Sequence, residues 1–154
     1  QIETPRGIAT IESWDCSNIE FSGIGFGSAD YCASTGGDMG KASLAYGRGK
    51  IINAAALYNT LALDGVWLDF RDPDGCREET LYVKTMGFKG RFAIHPDQIK
   101  PIHDAYRPTT EELEWAKGVL EEAKTAGSGA FKYQGKMVDA PVLAVARLII
   151  SRED

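Results

Sequence analysis

Residues 65–94 read GVWLDFRDPDGCREETLYVKTMGFKGRFAI, an apolar run, a helix start and a second apolar run. The first run, 65–70, is apolar enough for a strand buried on both faces. Asp72-Pro73-Asp74-Gly75 then opens a helix that reaches about Met86. Proline suits a helix start, because the N–H it lacks would have no partner there. Residues 90–94 (GRFAI) form the next strand, ended by His95-Pro96. Strand, helix and strand in this order imply parallel strands with the helix packed outside.

The same unit recurs upstream. Gln1-Ile2-Glu3-Thr4 reads as the end of a strand, so the sequence is expected to begin inside a larger fold. Pro5 opens a short helix towards Trp14, and residues 21–26 (FSGIGF) form a second strand. A glycine-rich loop covers 34–40, and 43–58 reads as a helix in which Gly47 and Gly49 each cost about 1 kcal/mol relative to Ala. The strands at 21–26, 65–70 and 90–94 are expected to be parallel neighbours in that order.

From Pro108 the pattern changes. Thr109 and Glu112 stand at capping-box spacing, and their helix runs to about Ala126 before Gly127. Residues 130–138 suggest a hairpin turning at Gln134-Gly135. Asp139 then caps a final helix with Pro141 in its first turn. Residues 1–107 are therefore expected to form the βα series and 108–154 a helical extension. Four strands of a barrel would leave unpaired edges and an uncovered core. A complete (β/α)8 barrel needs about 250 residues; this sequence has 154.

Composition narrows the functions. Hydrophobic residues make up 44% and charged residues 25%, an ordinary globular balance. Acids outnumber bases, 22 to 17, and no basic run appears, so no nucleic-acid partner is expected. No apolar run reaches the roughly 18 residues of a membrane span. Cys16, Cys32 and Cys76 are scattered, which suits free thiols in a reducing cytoplasm, or a mitochondrial matrix in a eukaryote. His95 and His103 are the only histidines, too few for an obvious zinc site, so a metal would take oxygen ligands, as Mg²⁺, Mn²⁺ or Ca²⁺ does.

Working residues of a (β/α)8 barrel sit at the C-terminal ends of its strands. Glu3 closes the first strand, Asp30 follows the second, and Asp69 and Asp72 close the third. Glu3 and Asp30 lie on adjacent strand ends and are expected to share one cation. Asp72, before Pro73, reads as a helix cap, and His95 as a structural turn. Residues 25–30 (GFGSAD) form a small-residue loop whose backbone N–H groups could approach an anion.

Five segments in order, IETPRG (2–7), GFGSADY (25–31), LDGVWLDFRDPDG (63–75), GFKGRFAIHPDQI (87–99) and GKMVDAPV (135–142), resemble the citrate lyase beta-subunit-like family. That family is grouped with the HpcH/HpaI aldolases, malyl-CoA lyases and citramalyl-CoA lyases. The resemblance implies an α/β chain that is the second half of a (β/α)8 barrel, from about strand 5 to strand 8, plus a C-terminal helical extension. It implies that Glu3 and Asp30 bind Mg²⁺, with Mn²⁺ as a substitute, and that Glu3, Ser28 and Ala29 line the substrate site. It implies that Asp139 reaches a neighbouring subunit's site as the catalytic acid, within a homotrimer or hexamer. The family's substrate-orienting arginine and most of its CoA-contacting basic residues lie on earlier strands, so an N-terminal half of the barrel is expected to be required.

The implied activity is a Mg²⁺-dependent carbon–carbon lyase that splits a citryl-, malyl- or citramalyl-type CoA thioester into an acyl-CoA and a 2-oxo acid. Two alternatives stand beside it: a pyruvate-type aldolase working without CoA, and a non-catalytic fragment or subunit that keeps the fold alone.

Overall fold

The computed structural model describes residues 1–127 and 129–153. It divides into two compact units, Gln1–Tyr106 and Arg107–Asp154. The first unit is α/β. Three short strands, β1 (Ile24–Gly25), β2 (Ala62–Asp64) and β3 (Gly90–Arg91), pair in parallel in the order β1-β2-β3. Ile2 adds a parallel bridge to Phe26 beside β1. The strands alternate with α1 (Pro5–Thr10), α2 (Ser28–Thr35), α3 (Lys41–Leu57), α4 (Pro73–Met86) and α5 (Ile99–Tyr106). The parallel order is the one expected.

The middle strand is displaced from its expected place. It occupies 62–64, and the apolar run 65–70 is loop. The last ladder bond at this end runs from Phe92 N–H to the Asp64 carbonyl. At Gly65 the chain turns onto Ser28, so closely that a Cβ on Gly65 would fall 2.0 Å from Ser28 Oγ. Leu68 and Phe70 are left exposed. Hydrophobicity alone could not distinguish this loop from a strand, because the distinguishing contact is long-range.

Two helices were not legible in the sequence. α2 begins at Ser28, inside the stretch 25–30 expected to be loop, and ends at Gly36, whose φ of +76° suits glycine. α5 carries Pro101, which weighs against a helix interior. Here it follows the 3₁₀ turn Pro96–Gln98 and stands in the first turn of α5, where a missing N–H costs little.

The core of this unit gathers Ile8, Phe26, Leu44, Ile51, Val83 and Phe88 between sheet and helices, all fully buried. The two glycines of α3 differ. A Cβ on Gly47 would lie 2.5 Å from the Phe26 ring, so its absence lets the helix rest on that ring, whereas Gly49 faces open space.

A buried ionic cluster lies beneath the same helix. Arg48 of α3 donates to both oxygens of Asp64, from Nε at 3.1 Å and from Nη2 at 3.0 Å. Its Nη1 lies 2.8 Å from Glu79 Oε1 of α4, an ion pair without hydrogen-bond alignment. Arg91 Nη2 donates to Asp64 Oδ2 at 2.5 Å. Lys41 adds a longer contact to Glu79, 3.6 Å. Burial would lower the Arg48 pKa, but the Asp64 carboxylate, with Glu79, more than offsets this and holds the guanidinium above its ordinary value.

The second unit contains α6 (Thr110–Ala126), the hairpin β4 (Phe131–Tyr133) and β5 (Lys136–Val138), and α7 (Ala140–Ile150). The capping box at Thr109 and Glu112 is formed in both directions. Gln134 and Gly135 both take positive φ, 47° and 78°, as a two-residue hairpin turn requires. Ala116, Val119, Val138 and Ala146 form its core. Among the described residues no helix is long and apolar enough to cross a membrane.

Removing one partner from a buried ion pair leaves a charge without compensation, at a cost of about 3–5 kcal/mol. Arg48→Met in the full-length protein should lower its unfolding free energy by about that much, measured by urea denaturation. A loss below 1 kcal/mol would show that Arg91 alone suffices for Asp64.

Candidate functional site

The site is built where the chain passes from Ile2 to Glu3 and from β1 to α2. The Ile2 N–H donates to the Gly25 carbonyl, and the Ile2 carbonyl accepts from Gly27 N–H, each at 2.8 Å. This bridge fixes Glu3 beside Gly27. A Cβ on Gly27 would lie 2.3 Å from Glu3 Cβ and 2.9 Å from Glu3 Oε2. The bare Cα of glycine is therefore what lets the carboxylate approach the start of α2. Glu3 Oε2 also accepts from Gln1 Nε2 at 3.2 Å.

Gly27 is the N-cap of α2, and its carbonyl accepts from Tyr31 N–H. Having no side chain, it leaves the first-turn N–H groups without a side-chain cap. Asp30 lies in that first turn. Ser28 opens the helix, only 2% exposed, and its Oγ has no hydrogen-bond partner in the protein. A buried hydroxyl without a partner is costly, so Ser28 Oγ is a donor and acceptor free for water or a polar ligand. The helix N-terminus adds positive potential at the same spot.

A cavity of about 280 Å³ opens here, lined by Ser28, Ala29, Asp30, Phe92 and Ile94 among others. Glu3 faces a neighbouring hollow with Arg6, Thr10 and Trp14, and Gln1 lines both. Glu3 and Asp30 thus follow adjacent parallel segments but line different hollows, with Gln1 shared between the two. Among the described residues no group of three or more His, Cys, Asp or Glu is placed to hold a metal. Two carboxylates with remaining positions open to ligand oxygens and water match the way Mg²⁺ is commonly bound. The donor set therefore fits a hard cation.

The other acids make local contacts within their own elements. Asp139 belongs to the second unit and caps α7, its Oδ1 accepting from Val142 N–H at 3.3 Å. Asp72 caps α4 by accepting from Gly75 N–H at 2.9 Å. Asp69 does not close a strand: it lies in the loop and accepts from Arg71 N–H. The acid that closes β2 is Asp64, which the sequence does not single out because its apolar run, 65–70, begins three residues after the strand does. It is fully buried and taken up by Arg48 and Arg91. His95 Nδ1 accepts from Asp97 N–H, and its ring stacks on Phe70 at 4.7 Å, which agrees with a structural turn. Burial pushes the Cys32 and Cys76 thiols up, which disfavours the reactive thiolate.

The first unit is thus a parallel α/β unit with two acids, Glu3 and Asp30, just after adjacent parallel segments, beside a helix start that has no side-chain cap. Comparison with known proteins identifies the kin. The chain belongs to the HpcH/HpaI aldolase/citrate lyase family, whose model matches residues 1–96. A model for carbon–carbon bond lyases of the TIM-barrel fold matches residues 49–153. The citrate lyase subunit beta-like protein of Mycobacterium tuberculosis is 39% identical over 158 aligned residues, covering 98% of this chain and 57% of that protein. The mitochondrial citramalyl-CoA lyase of Rattus norvegicus is 37% identical over 131, covering 82% of this chain and 39% of that enzyme. Among solved structures, CitE from Mycobacterium tuberculosis in complex with magnesium, acetoacetate and coenzyme A superposes with a TM-score of 0.81 at 33% identity. That match covers 97% of this chain and 58% of CitE. The chain spans about half the length of the curated relatives it matches.

Ser28→Ala removes a buried hydroxyl that has no protein partner. Melting temperature of the full-length protein should stay level or rise with this change. A clear drop in melting temperature without ligand would show that Ser28 Oγ is a structural hydrogen-bonding group.

Proposed function

We propose that this chain is the second half of a (β/α)8 barrel with its C-terminal extension, from a Mg²⁺-dependent lyase that cleaves a 3-hydroxyacyl-CoA into an acyl-CoA and a 2-oxo acid. The observation that carries this reading is the seating of Glu3 on the bare Cα of Gly27, directly before the helix whose first turn holds Asp30. The magnesium in solved relatives and the names of the lyases it resembles support it.

In this reading Glu3 and Asp30 hold Mg²⁺. The ion, when bound, stabilises negative charge on the substrate oxygens as a Lewis acid. The N–H groups that open α2 and the Ser28 hydroxyl bind the carboxylate of the 2-oxo acid. The C2–C3 bond of the thioester breaks as the 3-hydroxyl gives its proton to solvent water and becomes the keto group of the 2-oxo acid. The bonding pair passes to the thioester α-carbon, which then takes up a proton. Asp139, extended from a neighbouring subunit of a trimer or hexamer, is the group assigned to deliver that proton. Serving as a helix cap does not prevent this, because the cap bond uses only Oδ1.

The experiment is turnover of a panel of malyl-, citramalyl- and citryl-CoA by the full-length protein, with Mg²⁺ and with EDTA. Cleavage of one member that EDTA abolishes is expected; no cleavage of any member overturns the reading. Glu3→Gln and Asp30→Asn should each raise the Mg²⁺ concentration needed for half-maximal rate at least tenfold. Asp139→Asn should keep its melting temperature, since Asn caps about as well as Asp, and lose on the order of 10²–10⁴ in rate. Near-normal turnover would reduce Asp139 to a cap.

A further inference from the structure

We infer that Arg91 is a positioning residue for the binding end of α2, acting through Gly65 and Ser28. This rests on the reading of α2 as the carboxylate-binding helix.

Arg91 follows Gly90 in β3, and its side chain is 1% exposed. Its guanidinium makes three directed contacts. Nη2 donates to Asp64 Oδ2 at 2.5 Å, Nη1 donates to Thr80 Oγ1 at 3.2 Å, and Nε donates to the Gly65 carbonyl at 3.0 Å. The third contact is made to the loop, at the residue where the chain leaves β2. That residue is pressed against the site. A Cβ on Gly65 would fall 2.0 Å from Ser28 Oγ, 2.6 Å from Ser28 Cβ and 3.0 Å from the Phe26 carbonyl. The Gly65 backbone is thus the surface on which Ser28 rests.

A guanidinium is suited to this task. It is planar, permanently charged and presents its donors in a fixed fork, so one group can hold a carboxylate, a hydroxyl and a carbonyl at set angles. Lysine would keep the charge beside Asp64 but has one nitrogen at the end of a flexible stem. It cannot reproduce all three contacts. With the Gly65 carbonyl released, the loop is free to shift and Ser28 loses its support. The Ser28 hydroxyl and the first N–H groups of α2 are then no longer held in one place. Binding of a ligand carboxylate should suffer before the fold does, because the Asp64 charge remains compensated by Arg48.

Thr80 provides the control. Thr80→Val removes an acceptor from the same guanidinium on the side away from the loop, together with the hydroxyl's bond to the Cys76 carbonyl. It disturbs the helix packing and leaves Gly65 untouched. Gly65→Ala is the converse, since it leaves every charge in place and pushes a methyl group at Ser28.

The test is calorimetric binding of pyruvate to the full-length protein at saturating Mg²⁺, with melting temperatures recorded for each variant. The wild type should bind, and Arg91→Lys should weaken binding at least tenfold. Thr80→Val should stay within twofold of wild type even if its melting temperature falls. Gly65→Ala should lose as much affinity as Arg91→Lys, and it decides the matter if Arg91→Lys does not fold. Wild-type affinity in Arg91→Lys or in Gly65→Ala overturns the inference, as does an equal loss in Thr80→Val. Absence of pyruvate binding by the wild type overturns the functional reading and this inference with it.

Discussion

The buried carboxylate of Asp64 is the constraint around which the first unit is arranged. It ends the central strand of the three, out of reach of water. An isolated carboxylate there would be untenable, so cations must come to it from other elements. Arg48 arrives from α3 and Arg91 from β3, while Glu79 of α4 balances the second positive charge. The cluster therefore ties two helices and two strands to one point. Such a cluster adds little net stability compared with apolar packing of the same volume, because desolvation offsets most of the attraction. What it supplies is direction. Hydrogen bonds fix the angle of approach in a way that leucine side chains do not.

This explains how an α/β unit with strands of two or three residues can hold a definite geometry at its strand ends. The ladder is short, so few backbone bonds fix the register. Side-chain charges and close glycine contacts supply the remaining restraints. The site end is held by Gly27 under Glu3 and by Gly65 under Ser28. In both places the restraint is a backbone pressed against a side chain, which tolerates no additional atom.

Much of this was legible from local chemistry. The cap at Asp72, the capping box at Thr109 and Glu112, the hairpin turn at Gln134-Gly135 and the stop at Gly127 all depend on residues within a few positions of one another. The parallel order of the strands followed from strand–helix alternation. What escaped was long-range. Trp67, Leu68 and Phe70 look like strand residues, yet they lie in the loop that begins where Gly65 packs closely against Ser28. Arg48, Glu79 and Arg91 look like ordinary surface charges in sequence, because nothing local reveals that Arg48 and Arg91 converge on Asp64 while Glu79 pairs with Arg48. Glu3 and Asp30 stand out in the sequence as residues at or just after strand ends, whereas the helix that begins at Ser28 is hidden by its glycine-rich approach.

The two glycines of α3 have opposite meanings for anyone wishing to harden the protein. Gly47 is the seat of the Phe26 ring and has no room for a methyl group. Gly49, two residues along, faces open space within a continuous helix. Alanine there would restrict the unfolded chain and add helix propensity, a gain of roughly 0.5–1 kcal/mol. Since Arg48 sits between them, the helix that delivers the central guanidinium can be stiffened from its outer face while its inner face stays as it is. For engineering purposes, α3 is a strut with one adjustable side.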